Sequence, residues 1–273
     1  MTKTELLRIL QEEGIHLTKQ RGQNYLTDQN LVKSMLSKVN VQPSDHCLEI
    51  GTGLGALTGA LLSRGAKVIS YETDRKVFEA VSRRLGTHPH LTLHHEDFLK
   101  SQWTQRLIAP VRVIANVPYN ISSSILIELW MKKHVLQDAC LLLQREVVER
   151  LMAREPGREI GFLSILLQLE FSLTLLKTVP RTAFFPEPKV DSAYLHLDPK
   201  PSALLEGQRP DFFQFVKTGF AERRKQLLPR LAKVYSGAPK AFASLGLSPN
   251  LRAETLTPET WFALFRNITR MFS

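Results

Sequence analysis

The sequence of 273 residues has little cysteine and no long apolar segment. Its two cysteines, Cys47 and Cys140, each lie in an apolar run without a second cysteine or clustered histidines nearby. Disulfide frameworks and zinc sites need more cysteines at paired spacing, so we interpret both as reduced core residues and expect no metal. No apolar run approaches the roughly 20 residues that span a bilayer, so no membrane partner is expected.

The first 22 residues also lack the features of a targeting segment. They contain Glu5, Glu12 and Glu13 and have no apolar core. Secretory signals need such a core, and transit peptides are poor in acidic residues. The sequence therefore predicts a cytoplasmic protein.

Acidic residues are scarce in one part of the chain. The whole chain has 36 basic and 26 acidic residues, a net charge of +10. Residues 199–273, which start with a proline-rich stretch, contain 12 basic and 5 acidic residues. Residues 1–198 contain 24 basic and 21 acidic residues. A basic segment favours a polyanionic partner, although ordinary solubility charge would give the same pattern. We predict a domain boundary near residue 199.

Strand-like runs alternate with helical patterns before that boundary. The strand-like runs are residues 46–51, 67–72, 91–96, 111–116 and 138–144. The helical patterns are residues 3–14, 28–39, 55–64, 74–85, 122–134 and 145–154. This alternation predicts an α/β domain with a mostly parallel sheet.

Two further strand-like segments, residues 171–179 and 190–197, have no long helix between them and suggest an antiparallel edge. Beyond a linker at residues 199–210, only helical patterns follow. They are residues 211–220, 222–234, 239–245 and 258–271. The sequence thus predicts a small helical domain at the C-terminus.

The first strand ends in the glycine-rich turn LEIGTGLGALT, residues 48–58. Gly51 and Gly53 allow a sharp turn and let a ligand lie against the main chain. Together with Ala56 they also satisfy the dinucleotide fingerprint. Glu72 ends the second strand, where a carboxylate accepts hydrogen bonds from ribose hydroxyls, unless it is only a solvated strand end. These residues predict a nucleotide-type cofactor, either NAD or S-adenosylmethionine.

The third strand ends in HEDF, residues 95–98. Asp97 can accept a hydrogen bond from the adenine amine of such a cofactor, and Phe98 can pack on the ring. The alternative is that Asp97 only caps the next turn.

The fourth strand ends in NVPYNIS, residues 116–122, which points to methyl transfer. An exocyclic adenine amine is a poor nucleophile, and the Asn116 side-chain oxygen and Pro118 carbonyl can accept hydrogen bonds from both its protons. Tyr119 offers a face on which an extruded base stacks. An activated methyl donor needs no metal or strong base, so positioning and electrostatics would carry the catalysis. Asn and Pro also occur in plain turns, but a turn placed here suits a methyltransferase and not an NAD-dependent dehydrogenase.

Two more segments fit this interpretation. The proline-pinned loop at residues 183–192 presents Phe184 and Phe185, one of which would sandwich the base against Tyr119, although either could be core. Arg223, Arg224 and Lys225 begin a predicted helix and could contact RNA phosphates, or form a solvated face.

These motifs together resemble the KsgA (RsmA) family of ribosomal RNA adenine dimethyltransferases, over nearly the whole chain. The matching segments are GQNYL at 22–26, LEIGTGLGALT at 48–58, ETD at 72–74, EDF at 96–98, NVPYNIS at 116–122, FFPEPKVDSA at 184–193, ERRKQL at 222–227 and LRAETLT at 251–257. The family more often has Phe at position 25 and Pro at position 52. Tyr25 and Thr52 remove no needed group, and Thr52 is expected to alter the cofactor loop slightly.

The resemblance implies a class I S-adenosylmethionine-dependent methyltransferase fold, Rossmann-like with a seven-stranded sheet. It implies a catalytic domain at residues 1–198 and an RNA-binding helical domain at residues 199–273. The expected activity is dimethylation of two adjacent adenines near the 3′ end of small-subunit (16S) rRNA, by a monomer acting on a pre-30S particle.

The resemblance also assigns site residues by position. The cofactor residues, with Gly53 from the glycine turn, are Asn24, Leu26, Gly51, Gly53, Glu72, Asp97 and Asn116. The residues expected against the target adenine are Asn116, Pro118, Tyr119 and Phe184.

Two rival functions share part of this pattern. The erythromycin-resistance methyltransferases have the same fold and chemistry but modify large-subunit rRNA, and the RAETLT segment disfavours them. A non-catalytic ribosome-assembly factor would use the same surface only to bind RNA. The intact cofactor motifs argue against that alternative.

Overall fold

The computed structural model describes residues 1–17, 24–154, 160–222 and 224–269. The chain divides into two compact units. The first unit is Met1–Val148 with Thr174–Pro199, and the second is Glu149–Leu173 with Lys200–Ser273. The assignment of catalysis to residues 1–198 and of RNA binding to residues 199–273 stays a prediction.

A seven-stranded mixed sheet, in the order β4-β3-β2-β5-β6-β9-β7, organises the first unit. The strands of the chain are β1 (Tyr25–Leu26), β2 (His46–Ile50), β3 (Lys67–Glu72), β4 (Leu91–His95), β5 (Val111–Asn116), β6 (Leu136–Gln144), β7 (Phe171–Val179), β8 (Phe184–Phe185) and β9 (Ser192–Pro199). Strands β2 to β6 pair in parallel, as their alternation with helices predicts. Strand β9 pairs antiparallel with β6, and β7 lies at the edge. The seven-stranded α/β fold is thereby confirmed.

The chain forms helices throughout. They are α1 (Lys3–Glu12), α2 (Gln29–Lys38), α3 (Ala56–Leu62), α4 (Arg75–Leu85), α5 (Ser122–Met131), α6 (Arg145–Met152), α7 (Phe162–Glu170), α8 (Arg209–Phe220), α9 (Leu227–Ala232), α10 (Ala238–Ser244) and α11 (Pro258–Thr269). Helices α1, α2 and α4 begin at a side-chain cap. Asp28 accepts the backbone N–H groups of residues 30 and 31, and Asp74 accepts those of residues 76 and 77. Such caps satisfy N–H groups that have no partner within the helix.

The central strands are buried on both faces. Val113, Ile114 and Ala115 of β5 are fully buried, as are Leu141 and Leu142 of β6. Parallel strands covered on both sides have continuous apolar sequences, which is why these strands were predictable.

Helix α7 and the short strands β1 and β8 have no counterpart in the sequence prediction. Residues 162–170 have only three polar side chains, Ser164, Gln168 and Glu170, and two of these are buried, so the helical period is weak. Strands β1 and β8 form a two-stranded antiparallel sheet of two residues each, too short for an alternating pattern. The predicted helix over 222–234 is also wrong in extent, because α9 begins only at Leu227, after Arg224 in a left-handed conformation (φ 66°).

The second unit is built around aromatic packing between α8 and α11. Phe215 packs edge-to-face on Trp261, and Phe212 packs likewise on Phe265. The guanidinium of Arg209 pairs with the carboxylate of Glu170 at 3.0 Å, and both side chains are buried. None of the helices in the described ranges has the length and apolar character needed to cross a bilayer.

Candidate active site

The carboxyl ends of the parallel strands open onto a cavity. It is lined by eight of the ten residues predicted for cofactor and adenine: Asn24, Gly51, Gly53, Glu72, Asp97, Asn116, Pro118 and Tyr119. A doubly wound sheet places ligands at this edge. Residues from four strand ends thus meet around one space.

The glycine turn leaves β2 with the backbone that its sequence predicts. Gly51 and Gly53 have φ angles of 81° and 53°, which side-chain-bearing residues rarely adopt. A Cβ atom on Gly53 would lie 3.1 Å from the ring of Tyr25. Glycine at this position therefore lets the turn lie directly beneath β1.

The carboxylate of Glu72 is held at the cavity wall by backbone donors. Its Oε2 accepts the N–H of Gly53 at 2.9 Å, and its Oε1 accepts those of Thr73 and Asp74, both at 2.9 Å. The side chain is only 7% exposed. These bonds fix the acceptor oxygens relative to the glycine turn, whereas the predicted ribose contact stays a prediction.

Asp97 caps a turn, and its predicted contact with the adenine amine of the cofactor stays a prediction. Its Oδ1 accepts the N–H of Leu99 at 3.0 Å and so caps a short 3-10 helix. The residue also lines the cavity, beside Phe98 and Tyr71. Phe98 is buried and packs edge-to-face on Tyr71, with ring centroids 5.7 Å apart.

Tyr71 and Glu96 line the cavity but were not predicted as site residues. The guanidinium of Arg106 makes two hydrogen bonds to the Glu96 carboxylate, at 2.9 and 3.1 Å, and contacts the Tyr71 hydroxyl at 3.3 Å. This bidentate contact lowers the pKa of Glu96. The sequence hint for Tyr71 was its position directly before Glu72.

The side-chain amide of Asn116 has a defined orientation. Its Nδ2 donates to the backbone carbonyl of Asn24 at 2.8 Å. A carbonyl only accepts hydrogen bonds, so this contact requires the nitrogen at that end and leaves Oδ1 on the other branch of the amide. The carbonyl of Pro118 accepts the N–H of Ile121 at 3.2 Å, which closes the turn after β5.

Tyr119 is anchored through its hydroxyl. That oxygen lies 2.6 Å from the hydroxyl of Ser192, which is fully buried at the start of β9. Burial raises the pKa of Tyr119, so the phenol is neutral at ordinary pH. Ser192 is the last residue of the proline-pinned loop at residues 183–192. The sequence of that loop gives no sign that Ser192 contacts Tyr119.

Leu26 and Phe184 do not line the cavity. They are cross-strand partners in the small β1–β8 sheet, and both lie in the hydrophobic core, 4% and 3% exposed. A ring in an apolar cluster is the commoner fate of phenylalanine. The contacts predicted for these two residues with cofactor and adenine therefore stay predictions.

A buried polar network lies beneath the glycine turn. The Oε2 of Glu49 accepts hydrogen bonds from the hydroxyls of Thr58 at 2.6 Å and Ser70 at 2.8 Å. Because Ser70 donates its proton to Glu49, the contact of 2.6 Å between the Thr52 and Ser70 hydroxyls must have Thr52 as donor. Burial is the main cause that raises the pKa of Glu49 to about 8. Thr52, at the position where the family that the sequence resembles more often has Pro, thus extends this network.

Among the described residues, Asp138, Cys140 and His196 form a group whose side chains have metal-binding atoms within 4.8 Å of one another. Both oxygens of Asp138 already accept from Arg112, at 2.9 and 2.8 Å, and Oδ2 also contacts His196 at 3.0 Å. Burial raises the pKa of the Cys140 thiol. The charge of Arg112 and the protonated thiol both oppose cation binding.

The predicted phosphate-binding cluster lies in the second unit. Arg224 and Lys225 are exposed in the turn before α9, while Arg223 lies outside the described residues. Arg224 and Lys225 do not begin a helix, because the first residue of α9 is Leu227.

Several known proteins are similar to this chain. The family described as "Ribosomal RNA adenine dimethylase" matches residues 15–270. A Moorella thermoacetica protein named ribosomal RNA small subunit methyltransferase A is 34% identical, covering 98% of both chains. A Francisella tularensis protein of the same name is 37% identical, covering 88% of this chain and 92% of its own. The crystal structure of a dimethyladenosine transferase from Plasmodium falciparum is similar in fold, with a TM-score of 0.71, 22% identity, and 90% and 97% coverage.

Proposed function

The chain belongs to the ribosomal RNA adenine dimethylase family, and from this premise we propose that it is an S-adenosylmethionine-dependent rRNA adenine dimethyltransferase. Its substrate is small-subunit (16S) rRNA, in which two adjacent adenines near the 3′ end are dimethylated on their exocyclic amines. The names of the bacterial relatives support small-subunit rRNA as the substrate, and not the large-subunit rRNA that the erythromycin-resistance methyltransferases modify. The intact cavity supports catalysis over an RNA-binding role alone.

The oriented amide of Asn116 is the observation that carries the proposed chemistry. With Nδ2 committed to the Asn24 carbonyl, Oδ1 serves as a fixed acceptor for one proton of the target amine. The Pro118 carbonyl accepts the second proton, since a carbonyl oxygen has two lone pairs and the bond from Ile121 uses one. Both bonds strengthen as the amine becomes pyramidal, so they favour the transition state over the ground state.

Tyr119 provides the stacking surface for the flipped adenine. Its ring lines the cavity while its hydroxyl is tied to Ser192. A tethered ring is held at one angle before the base arrives, which lowers the entropy lost on binding. The neutral hydroxyl has a positioning role and needs no part in proton transfer.

The cavity residues fit S-adenosylmethionine as the methyl donor. Glu72 and Asp97 supply carboxylate acceptors for ribose hydroxyls and an adenine amine, and the glycine turn offers bare backbone beside them. Asn24 and Asn116 complete the polar wall. Bound there, the donor supplies a methyl group already activated as a sulfonium. The chain's own residues then only orient the amine, and no metal is required.

The wider setting follows from the family and the charge distribution. We place the protein in the cytoplasm, as a monomer acting on a pre-30S particle. Residues 199–273, with 12 basic and 5 acidic residues, would bind rRNA phosphates while residues 1–198 perform the transfer. Arg223, Arg224 and Lys225 belong to this proposed phosphate-binding surface.

The test is to map tritiated methyl groups after incubating the protein with small subunits purified from a strain that lacks this enzyme. We expect label on two adjacent adenines near the 3′ end of 16S rRNA, recovered as dimethyladenosine. Large subunits and naked rRNA, treated in parallel, separate the rival functions. Label on large-subunit rRNA would support the erythromycin-resistance type. An absence of label in every substrate, with RNA binding intact, would support a non-catalytic assembly factor.

A further inference from the structure

A charged side chain from outside the predicted motifs reaches residues that line the active-site cavity. Arg106 is the last residue of a short 3-10 turn, Trp103–Arg106, in the connection between β4 and β5. The Trp103 ring packs on Phe98 with ring centroids 5.4 Å apart, and its Nε1 donates to the carboxylate of Glu128 in α5 at 2.9 Å. These contacts fix the turn to the elements around it, and they define the place from which Arg106 extends.

Arg106 makes a forked contact with Glu96, which lines the cavity. Its Nη1 donates to Oε2 at 3.1 Å, and its Nη2 donates to Oε1 at 2.9 Å. A planar guanidinium that makes two such bonds fixes the plane of a carboxylate as well as its position. The orientation of the Glu96 carboxylate in the cavity wall is therefore set by Arg106.

Arg106 is itself held by Tyr71. The Tyr71 hydroxyl accepts from Nη1 at 3.3 Å, and the guanidinium carbon lies 5.8 Å from the ring centroid, within the range of a cation–π contact. Tyr71 is 2% exposed, and its backbone carbonyl accepts the N–H groups of Gly51 and Thr52 at 2.9 and 3.2 Å. The residue that supports Arg106 thus also holds the glycine turn.

The carboxylate of Glu96 keeps acceptor sites for a ligand. Within the described ranges, the two bonds from Arg106 are its only side-chain hydrogen bonds, one on each oxygen. Because each carboxylate oxygen has two lone pairs, one acceptor site on each oxygen is unused. The bonds from Arg106 also lower the pKa of Glu96, so the carboxylate is ionised at neutral pH.

We propose that Glu96 accepts a hydrogen bond from the adenosine part of S-adenosylmethionine and that Arg106 is its positioning residue. Adenosine has donors in its amine and its ribose hydroxyls, and Glu96 directly precedes Asp97, the acceptor proposed for that amine. The inference rests on the proposed function, since it takes S-adenosylmethionine as the cofactor. In this arrangement Arg106 acts through Glu96 and touches no part of the ligand.

Calorimetric binding of S-adenosylhomocysteine to the full-length protein tests this inference without RNA or turnover. This compound has the adenosine part of S-adenosylmethionine but no charge on its sulfur. Glu96→Ala should weaken binding about three- to tenfold, as expected for one lost hydrogen bond. Arg106→Met should weaken it by a similar factor, because the carboxylate is then present but no longer held in place. The double variant should bind no more weakly than Glu96→Ala alone.

Two further readouts separate positioning from a general loss of structure. Arg106→Lys keeps the charge without the fork, so it should recover only part of the affinity lost in Arg106→Met. In turnover, Glu96→Ala and Arg106→Met should raise KM for S-adenosylmethionine and leave kcat unchanged, because an adenosine contact is the same in the ground state and the transition state. A loss of structure would instead lower kcat and the melting temperature together.

Arg75 and Glu79 provide a matched control pair. Their side chains form an exposed contact at 2.8 Å in α4, and neither residue lines the cavity. Arg75→Met and Glu79→Ala remove the same chemical groups and should leave the affinity for S-adenosylhomocysteine unchanged. If Arg106→Met fails to fold, the comparison of Glu96→Ala with Glu79→Ala, together with Arg106→Lys, decides the question.

Three results would contradict this scheme in different ways. Additive losses in the double variant would show that Arg106 acts independently of Glu96, and would overturn its positioning role. Weaker binding of S-adenosylmethionine alone, with S-adenosylhomocysteine unaffected, would show that Glu96 attracts the positive sulfur, and would overturn the adenosine assignment. Unchanged binding of both compounds in Glu96→Ala would overturn the inference as a whole. A parent protein that binds neither compound would instead contradict the proposed function.

Discussion

Glu49 offers a quantitative test of the network beneath the glycine turn. The side chain is 1% exposed, and burial raises its pKa from 4.5 to about 8. At neutral pH the folded protein therefore holds a proton on Glu49 that the unfolded chain does not. Folding takes up this proton, so the stability associated with Glu49 is complete below pH 4.5 and is lost as pH rises toward 8.

The magnitude follows from that shift. Between the two pKa values, the free energy of unfolding should fall by up to about 1.4 kcal/mol for each pH unit. From pH 5 to pH 7 the loss is roughly 2–3 kcal/mol. Glu49→Gln cannot ionise, and its amide oxygen still accepts from Thr58 and Ser70. The variant should therefore gain stability relative to the parent as pH rises, and the difference should be smallest near pH 5.

Urea unfolding of parent and variant at pH 5, 6, 7 and 8 measures this difference directly. Comparing the two proteins at each pH cancels the contribution of all other titrating groups. Glu146→Gln, at an exposed position in α6, controls for the loss of a carboxyl group alone. Parallel stability curves for the parent and Glu49→Gln would show that Glu49 is ionised in the folded protein, and would refute the assignment of a neutral buried carboxyl.

Three further predictions concern the cavity. Asn116→Ala should lower kcat by about 10²–10³-fold, because one fixed contact to the transition state is removed. RNA affinity, measured by fluorescence anisotropy, should be retained. An unchanged kcat would show that Asn116 has no part in the chemistry. Glu72→Ala and Asp97→Ala should each weaken S-adenosylmethionine binding by roughly 0.5–1.5 kcal/mol or more in calorimetry, and unchanged affinity in both would contradict their assignment. Tyr119→Ala should lose most of the methyl-transfer activity, whereas Tyr119→Phe and Ser192→Ala should each retain much of it. The double variant that combines Tyr119→Phe with Ser192→Ala should lose no more activity than either single variant. If Tyr119→Phe were as inactive as Tyr119→Ala, the hydroxyl and not the ring would be essential.

The parts of the fold that the sequence predicted are those with a strong local pattern. Strands β3 and β5 have the predicted bounds, 67–72 and 111–116, because each is a short run rich in β-branched and apolar residues between turns. Helix α4 begins at Arg75, one residue after its cap Asp74. Helix α7 was missed because six of its nine residues are apolar and two of the three polar ones, Ser164 and Glu170, are buried, which leaves a weak helical period. Strand β1 was missed because two residues cannot show a period.

The candidate site was predictable where function depends on position in the fold. Gly51, Glu72, Asp97 and Asn116 each lie at or just after the carboxyl end of a parallel strand, and parallel strands bring these ends to one edge. The partners of these residues were not predictable in the same way. Ser192 meets Tyr119 across 73 positions of chain, a contact that only the sheet order β5-β6-β9 creates.

The side chains proposed to bind the ligands are all held in place by hydrogen bonds to the rest of the protein. Asn116 is fixed by the Asn24 carbonyl, Glu72 by three backbone N–H groups and Tyr119 by the Ser192 hydroxyl. In each case one part of the side chain is hydrogen-bonded to the protein while the residue lines the cavity. Side chains held in this way lose little conformational entropy when a ligand binds. Since the proposed chemistry has no metal or strong base to rely on, this rigidity is where its rate enhancement must originate.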